Sequence, residues 1–243
     1  MSMLVVQQAA KRFGGIAALD GCDLEVREGE IAGLIGPNGS GKTTLFNMMT
    51  GYGRLDSGTV TFRDSAISRS SPRKVFGLGI GRTFQLTRIF PRLTVLENVH
   101  IGARRRGLIA SVRHWKAGRE HQRALESLDF VGLTRLRDAR AGSLSYGQRK
   151  LLEFASVLAA QPSLILLDEP AGGVNPTMIE LMAAKIRQLN QNGTTFLVVE
   201  HNMSFVMDLC HRVTVLHRGK TISHGEPTFV RRDPAVLEAY LGD

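Results

Sequence analysis

Two short stretches carry residues whose types and spacing can do chemistry. The run Gly36-Pro37-Asn38-Gly39-Ser40-Gly41-Lys42-Thr43-Thr44 matches the glycine-rich phosphate-binding pattern in full. A triphosphate is dense in negative charge. Bare backbone amides surround it only where no Cβ intrudes, which Gly39 and Gly41 permit. A helix following such a loop aims the positive end of its dipole at the phosphates. On this reading Gly36 to Thr44 bind the nucleotide, and Lys42 reaches its β- and γ-phosphates. The Thr43 hydroxyl coordinates Mg²⁺, and Thr44 makes a contact near the α-phosphate.

The second stretch is Leu164-Ile165-Leu166-Leu167-Asp168-Glu169. A pure aliphatic run of this kind predicts a parallel strand covered on both faces. Its carboxyl end faces the ligand crevice of such a sheet, and both acids stand there. Asp168 is placed to hold Mg²⁺ through water, and Glu169 to polarise an attacking water as general base.

These residues need elements to position them. Residues 3–8, 22–27 and 31–35 read as strands, with a loop over 36–41 and a helix over 42–50 closed by Gly51. Asp56-Ser57-Gly58 signals a turn before a strand at 59–62. From about residue 87 to residue 158 the texture becomes helical, with helices at 98–103, 112–130 and 147–160 and no strand between them. Strands resume at 164–167 and 194–199 around a helix at 178–190. A hairpin at 213–216 and 220–223 turns on Arg218-Gly219. Asp233-Pro234 starts a last helix, with Val236, Leu237, Tyr240 and Leu241 expected on one face. The pattern describes an α/β core, residues 1–86 and 159–243, with a helical subdomain, 87–158, inserted in it.

Composition agrees with one such domain. The chain has 243 residues, 43% of them hydrophobic, with 26 glycines and few aromatics. This excludes a disordered or fibrous protein. No apolar run approaches the ~18 residues of a membrane span. The N-terminal residues read as a strand and not as a secretion signal. Cys22 and Cys210 fit no metal or redox spacing and are expected to be buried thiols. A formal charge of +9 suits nucleic acid, an anionic membrane face or a polyanionic ligand, without choosing among them.

With Leu144-Ser145-Tyr146-Gly147-Gln148 added to these motifs, the chain resembles the ABC (ATP-binding cassette) ATPases over nearly its whole length. The family's usual signature has glycine where Tyr146 stands. The resemblance implies a P-loop NTPase (RecA-like) core with a small antiparallel β subdomain and an inserted α-helical subdomain. Its cofactors would be ATP and Mg²⁺. It also implies roles for further residues. Gln85, in Arg82-Thr83-Phe84-Gln85, would sense Mg²⁺ and the attacking water. His201 would bond the γ-phosphate and orient Glu169, and Phe13 would stack on adenine. Ala171 to Pro176 would form the loop that follows the acids, and Ser156 stands where many relatives have arginine. Leu144 to Gln148 would meet ATP held by an opposite subunit, so that two subunits sandwich the nucleotide and part on hydrolysis.

The resemblance is closer still to the ATPases of branched-chain amino acid importers. It rests on Lys11 to Leu19, Gly81 to Val99, Leu144 to Glu153 and the ending Val236 to Asp243. Similar endings occur in ATPases for lipopolysaccharide export and urea uptake. The implied partners are a second ATPase subunit, identical or different, two integral membrane permeases and an external substrate-binding protein. The implied location is peripheral, on the cytoplasmic face of the inner membrane. A soluble ATPase acting on nucleic acid would carry two cassettes or a long coiled-coil insertion, so no nucleic acid is expected. A P-loop kinase has no use for Gln85, His201 and the 144–148 set, and a non-hydrolysing module has none for Glu169 and His201. Arg104, Arg105, Arg106, Arg113, Lys116, Arg119 and Arg123 make a basic stretch suited to a solvated face or an anionic leaflet. Trp115 within it reads as a packing anchor.

Overall fold

The architecture follows from where β-branched and aliphatic residues run unbroken and where glycine interrupts them. A computed structural model describes residues 1–84, 88–103 and 118–241. In chain order the strands and helices begin with β1 (Ser2–Phe13), β2 (Ile16–Arg27), β3 (Ile31–Ile35), α1 (Lys42–Met49), β4 (Ser57–Phe62) and β5 (Ser65–Ala66). Next come α2 (Pro72–Gly77), β6 (Ile80–Arg82), α3 (Val95–Ala103), α4 (Arg119–Phe130), α5 (Tyr146–Leu158) and β7 (Leu164–Asp168). The chain continues through α6 (Pro176–Gln191), β8 (Thr195–Val199), α7 (Met203–Leu209), β9 (Arg212–His217), β10 (Lys220–Gly225), α8 (Pro227–Val230) and α9 (Pro234–Leu241).

Two sheets result. The larger runs β10-β9-β3-β8-β7-β6, parallel throughout except for the antiparallel β9–β10 hairpin. The smaller is antiparallel, in the order β2-β1-β4-β5. Strands β3, β7 and β8 are buried at every position, as strands covered on both faces must be. Their side chains divide by the period of two. Ile31, Ile35, Ile165, Leu167, Phe196 and Val198 join one core with α3, α5, α6 and α7. Leu34, Leu164, Leu166 and Leu197 join another with α1 and the antiparallel sheet.

The differences from the sequence expectation have local causes. Strand β1 continues to Phe13 because a bulge breaks its alternation at Gln7-Gln8, where Gln8 has φ 47°. The carboxylate of Asp23 secures that bulge, accepting from the Gln8 backbone N–H and side-chain amide, both at 2.8 Å. Strand β6 is three residues long with glycine at its centre, so it has no readable pattern. Gly81 is required there, because a Cβ would stand 2.6 Å from Val157 and 3.0 Å from Pro162. The helix expected at 112–130 is seen from Arg119. Its first part lies outside the described residues, as do Arg104, Arg105, Arg106, Arg113, Trp115 and Lys116. In α9 the buried face is Val236 and Ala239 with Tyr240 beside it, while Leu237 is exposed. Positions 236, 239 and 240 are helical neighbours, and 237 falls outside that stripe.

Cys22 and Cys210 are buried and free, and burial pushes both thiols up to about 12. Among the described residues no helix is long and apolar enough to cross a membrane.

Helices α3, α4 and α5 pack on one another, and α3 crosses α5 at Gly102. A Cβ at Gly102 would stand 2.1 Å from the Ser156 carbonyl oxygen. The Ser156 hydroxyl turns back to donate to the Leu152 carbonyl at 2.8 Å. The variant Gly102→Val should therefore lose about 1–3 kcal/mol of stability through overpacking. A lowered urea midpoint is the expected result, and an unchanged one would show room at the crossing that these distances deny.

Candidate nucleotide-binding site

Four adjacent parallel strands, β3, β8, β7 and β6, end on the same side of the sheet. After β3 comes the loop Gly36 to Gly41, after β8 His201, at the end of β7 Asp168 and Glu169, and at the end of β6 Arg82. Chemistry that is scattered in sequence from Gly36 to His201 is thus gathered along one edge, where ligands bind in open parallel sheets.

The loop is wedged between neighbours. At Gly36 a Cβ would lie 2.1 Å from the Leu216 carbonyl oxygen of β9, and at Gly41 2.5 Å from the Ala18 carbonyl oxygen of β2. Gly41 also has φ 106°, which glycine alone adopts without strain. The β9–β10 turn supports the loop from below, with the Gly219 N–H donating to the Ser40 carbonyl at 2.9 Å. Pro37, Asn38 and Gly39 lie at the loop's partly to fully exposed crest. Lys42 donates through Nζ to the Gly36 carbonyl at 2.7 Å and the Pro37 carbonyl at 2.9 Å. Burial lowers its pKa, and the charge of Glu169 opposes that shift. Thr43 and Thr44 occupy the first turn of α1, and Thr43 is exposed. Phe13 sits at the tip of the β1–β2 hairpin, 55% exposed, with the Lys11 ammonium 5.5 Å from its ring.

Asp168 is buried, and Arg82 approaches it with a guanidinium nitrogen 3.4 Å from Oδ2. Burial raises the carboxyl pKa, and Arg82 pulls it back. Glu169 adopts a left-handed backbone, φ 49°. Its N–H donates to the Val199 carbonyl at 2.9 Å. Its carbonyl accepts from Lys150 Nζ at 2.6 Å and from the Gly172 N–H at 3.1 Å. His201 brings Nδ1 to 3.8 Å from Glu169 Oε1. Gln85 lies outside the described residues.

The 144–148 segment opens α5. Ser145 caps that helix, accepting from the Gln148 N–H at 3.3 Å, while the Gln148 side chain accepts from the Ser145 N–H at 2.9 Å. Leu144 is buried and anchors the turn, and Ser145 faces solvent. A helix start presenting free amides is suited to an anion. Tyr146 lies against the loop after the acids: its ring is 3.1 Å from where a Cβ of Gly173 would be. Gly147 is hemmed in by Met178, 3.0 Å from a Cβ.

Sequence reasoning missed four residues. Glu200 is fully buried and accepts from the N–H groups of Ala171, His201 and Asn202 at 2.7, 3.1 and 3.2 Å. It therefore ties the loop after the acids to the loop carrying His201. Lys150, also buried, reaches across from α5 to Glu169. Glu153 accepts from the backbone N–H groups of Phe84 at 3.0 Å and Arg88 at 3.4 Å, on either side of residues 85–87. Arg82 is the fourth. The sequence offered little signal: Lys150 and Glu153 flank the apolar pair Leu151-Leu152, and Glu200 directly follows the apolar run of β8.

The donor set fits a metal-bound nucleotide. The loop closes where a Cβ at Gly36 or Gly41 would intrude, and Thr43 and Asp168 offer the oxygens a hard cation takes. Among the described residues no group of three or more His, Cys, Asp or Glu can hold a metal by itself.

Comparison with known proteins identifies the family. The model of the ABC transporter family matches residues 19–172, and that of the branched-chain amino acid ATP-binding cassette transporters matches residues 220–243. The high-affinity branched-chain amino acid transport ATP-binding protein LivG of Salmonella typhimurium is 37% identical over 250 residues, covering 99% of this chain and 98% of that protein. A probable LivG of Archaeoglobus fulgidus is 37% identical over 247 residues, covering 100% and 96%. Among solved structures, the ADP conformation of MJ1267, an ATP-binding cassette of an ABC transporter, superposes with a TM-score of 0.89 at 35% identity, covering all of both chains. A dimeric post-hydrolysis cassette, MJ0796 bound to ADP and Pi, gives 0.80 at 26% identity, covering 93% of this chain and 99% of that one.

Burial pushes the Glu153 carboxyl up to about 7 from an ordinary 4.5. Between those values the folded chain holds a proton that the unfolded chain has released. Stability therefore falls as pH rises through the window, and the whole loss, about 3 kcal/mol, is present above it. Glu153→Gln cannot ionise. Its melting temperature should fall less than the wild type's between about pH 5 and pH 8. Parallel profiles for the two proteins would show that Glu153 is not held neutral.

Proposed function

The chain belongs to the ABC transporter family as an ATP-hydrolysing subunit, and from that premise we propose that it powers import of branched-chain or other hydrophobic amino acids through separate permeases. Full-length likeness to LivG and the match of the C-terminal residues support the choice of cargo. The observation that carries the chemistry is the convergence of Lys42, Asp168, Glu169 and His201 on the ends of neighbouring strands.

In this reading the Gly36–Gly41 amides and Lys42 cradle the phosphates, and the exposed ring of Phe13 stacks on the base. Thr43, Asp168 and Gln85 would hold Mg²⁺, which when bound would supply charge neutralisation to the phosphates. Glu169 accepts a proton from the attacking water, and its left-handed backbone fixes where that carboxylate stands. His201 contacts the γ-phosphate and orients Glu169. Ser145 and Gly147, at the capped start of α5, address the nucleotide of a second cassette, so ATP joins two subunits and its cleavage releases them.

The membrane partner docks in the cleft between the core and the helical part. This cleft, about 370 Å³, is floored by Val75, Ile80 and Phe84 and rimmed by Tyr52, Arg88 and Ile101. Apolar floor and basic rim suit a short amphipathic helix on the cytoplasmic side of a permease. Two permeases and an external binding protein complete the importer, and the chain sits on the inner face of the membrane through them. Cargo then never touches this chain.

Glu169→Gln should bind ATP as the wild type does, lose about 100-fold or more of its turnover, and accumulate as a dimer with ATP. Phosphate release and size-exclusion chromatography read the two effects, and undiminished turnover would remove Glu169 from its role. The choice of cargo is checked by purifying the chain from membranes and identifying its permeases. Leucine uptake by vesicles carrying that complex should depend on internal ATP, and permeases that move only other solutes would overturn the assignment.

A further inference from the structure

Arg82 stands between the cleft and the site. One end of its guanidinium donates to Asn47 Oδ1 and to Thr50 Oγ1, each at 2.8 Å, which fixes it to α1 and the residue after it. The other end reaches Asp168 Oδ2 at 3.4 Å. Three rings enclose the group: Phe46 at 4.5 Å, Phe84 at 4.7 Å and Tyr52 at 5.1 Å from the guanidinium carbon. Nε is buried and meets no hydrogen-bond acceptor among the described residues. Phe46 belongs to the core, whereas Tyr52 and Phe84 line the cleft and meet edge to face, 5.8 Å between centroids. Tyr52 is 52% exposed.

This is more apparatus than an ion pair needs. A buried carboxylate can be paired by any cation, yet here the cation is itself held against rings that line the cleft. A guanidinium is planar and makes several directed bonds at once. Shifting one ring therefore alters the angle at which it meets Asp168, without removing its charge. A cation over a ring contributes most where water is excluded.

We propose that Arg82 is a positioning residue that couples the cleft to Asp168, so that what packs on Tyr52 and Phe84 sets how firmly the chain holds the divalent cation of its nucleotide. The inference rests on the reading that Asp168 faces that cation. It adds a route by which the docked partner acts on the metal and not on the phosphates.

The test measures Mn²⁺ binding to the ADP-loaded isolated chain by electron paramagnetic resonance, beside ADP affinity in EDTA. Tyr52→Ala removes one wall and keeps every charge. It should weaken Mn²⁺ about three- to tenfold, while Tyr52→Phe, which keeps the ring, should not. Arg82→Lys keeps the charge but cannot span Thr50, Asn47 and Asp168, and should weaken Mn²⁺ at least as much. ADP affinity without metal should be the same in all of them. Asp168→Asn separates the two levels. If it leaves Mn²⁺ binding intact, the reading of Asp168 fails and this inference with it. If it weakens Mn²⁺ but Tyr52→Ala does not, the coupling alone is wrong. A loss of metal-free ADP affinity matching the loss of Mn²⁺ would also overturn the coupling, since the site would then be deformed as a whole. Should Arg82→Lys fail to fold, Tyr52→Ala still decides, because its ring is half exposed.

Discussion

The site depends on burying negative charge. Asp168, Glu153 and Glu200 are all removed from solvent at the carboxyl ends of β7 and β8 or beside them, and Glu169 stands next to them. Isolated carboxylates would not stay ionised in such a place, and each needs a cation or a set of N–H donors. Lys150 is the central answer. Burial lowers its pKa, and Glu200, Glu153, Glu169 and Asp168 oppose that in turn. Three backbone donors satisfy Glu200 and Arg82 answers Asp168, while Glu153, held protonated up to about pH 7 by burial, accepts from two N–H groups. The cluster survives because its members are distributed among these partners. Removing one partner leaves a buried charge without compensation, which costs far more than a surface pair is worth.

Lys150 comes from α5, in the helical part, while Glu169 follows a strand of the core. Their bond at 2.6 Å therefore crosses between the two parts of the chain. Tyr146 makes a second crossing one helical turn earlier, its ring against Gly173 and 5.6 Å from the Lys150 ammonium. This gives the departure from glycine at position 146 a physical account. The larger side chain spans from the capped helix start to the loop after the acids, and Gly173, with φ 70° and no Cβ, leaves space for it.

Much of this was legible in the sequence, and the boundary is instructive. The phosphate loop and the two acids could be read because their function requires fixed spacing along the chain, on either side of a strand. Strands β3, β7 and β8 could be read because burial on both faces forces an unbroken apolar run. Strand β6 could not, since its central glycine answers to Val157 and Pro162, which are distant in sequence. The bulge at Gln8 hid half of β1, because its logic lies in Asp23 on the neighbouring strand. Arg82, Lys150, Glu153 and Glu200 escaped for the same reason. Each acts through a partner supplied by folding, and a lone charge in an apolar segment does not say which partner that is.

Glu169 shows what the arrangement achieves. A left-handed backbone costs a residue with a Cβ about 1–3 kcal/mol, and it persists only where its surroundings over-determine it. Here three hydrogen bonds do so: to Val199 from its N–H, and from Lys150 and Gly172 to its carbonyl. Of these, the first belongs to the sheet and the second to α5. The carboxylate therefore projects from a backbone clamped between the rigid core and the helix whose N-terminus carries Ser145. A displacement of α5 relative to the sheet cannot leave that clamp unstrained. On the proposed function, the part of the chain that would address a neighbouring cassette's nucleotide and the residue that would act on its own are joined through one buried ammonium group.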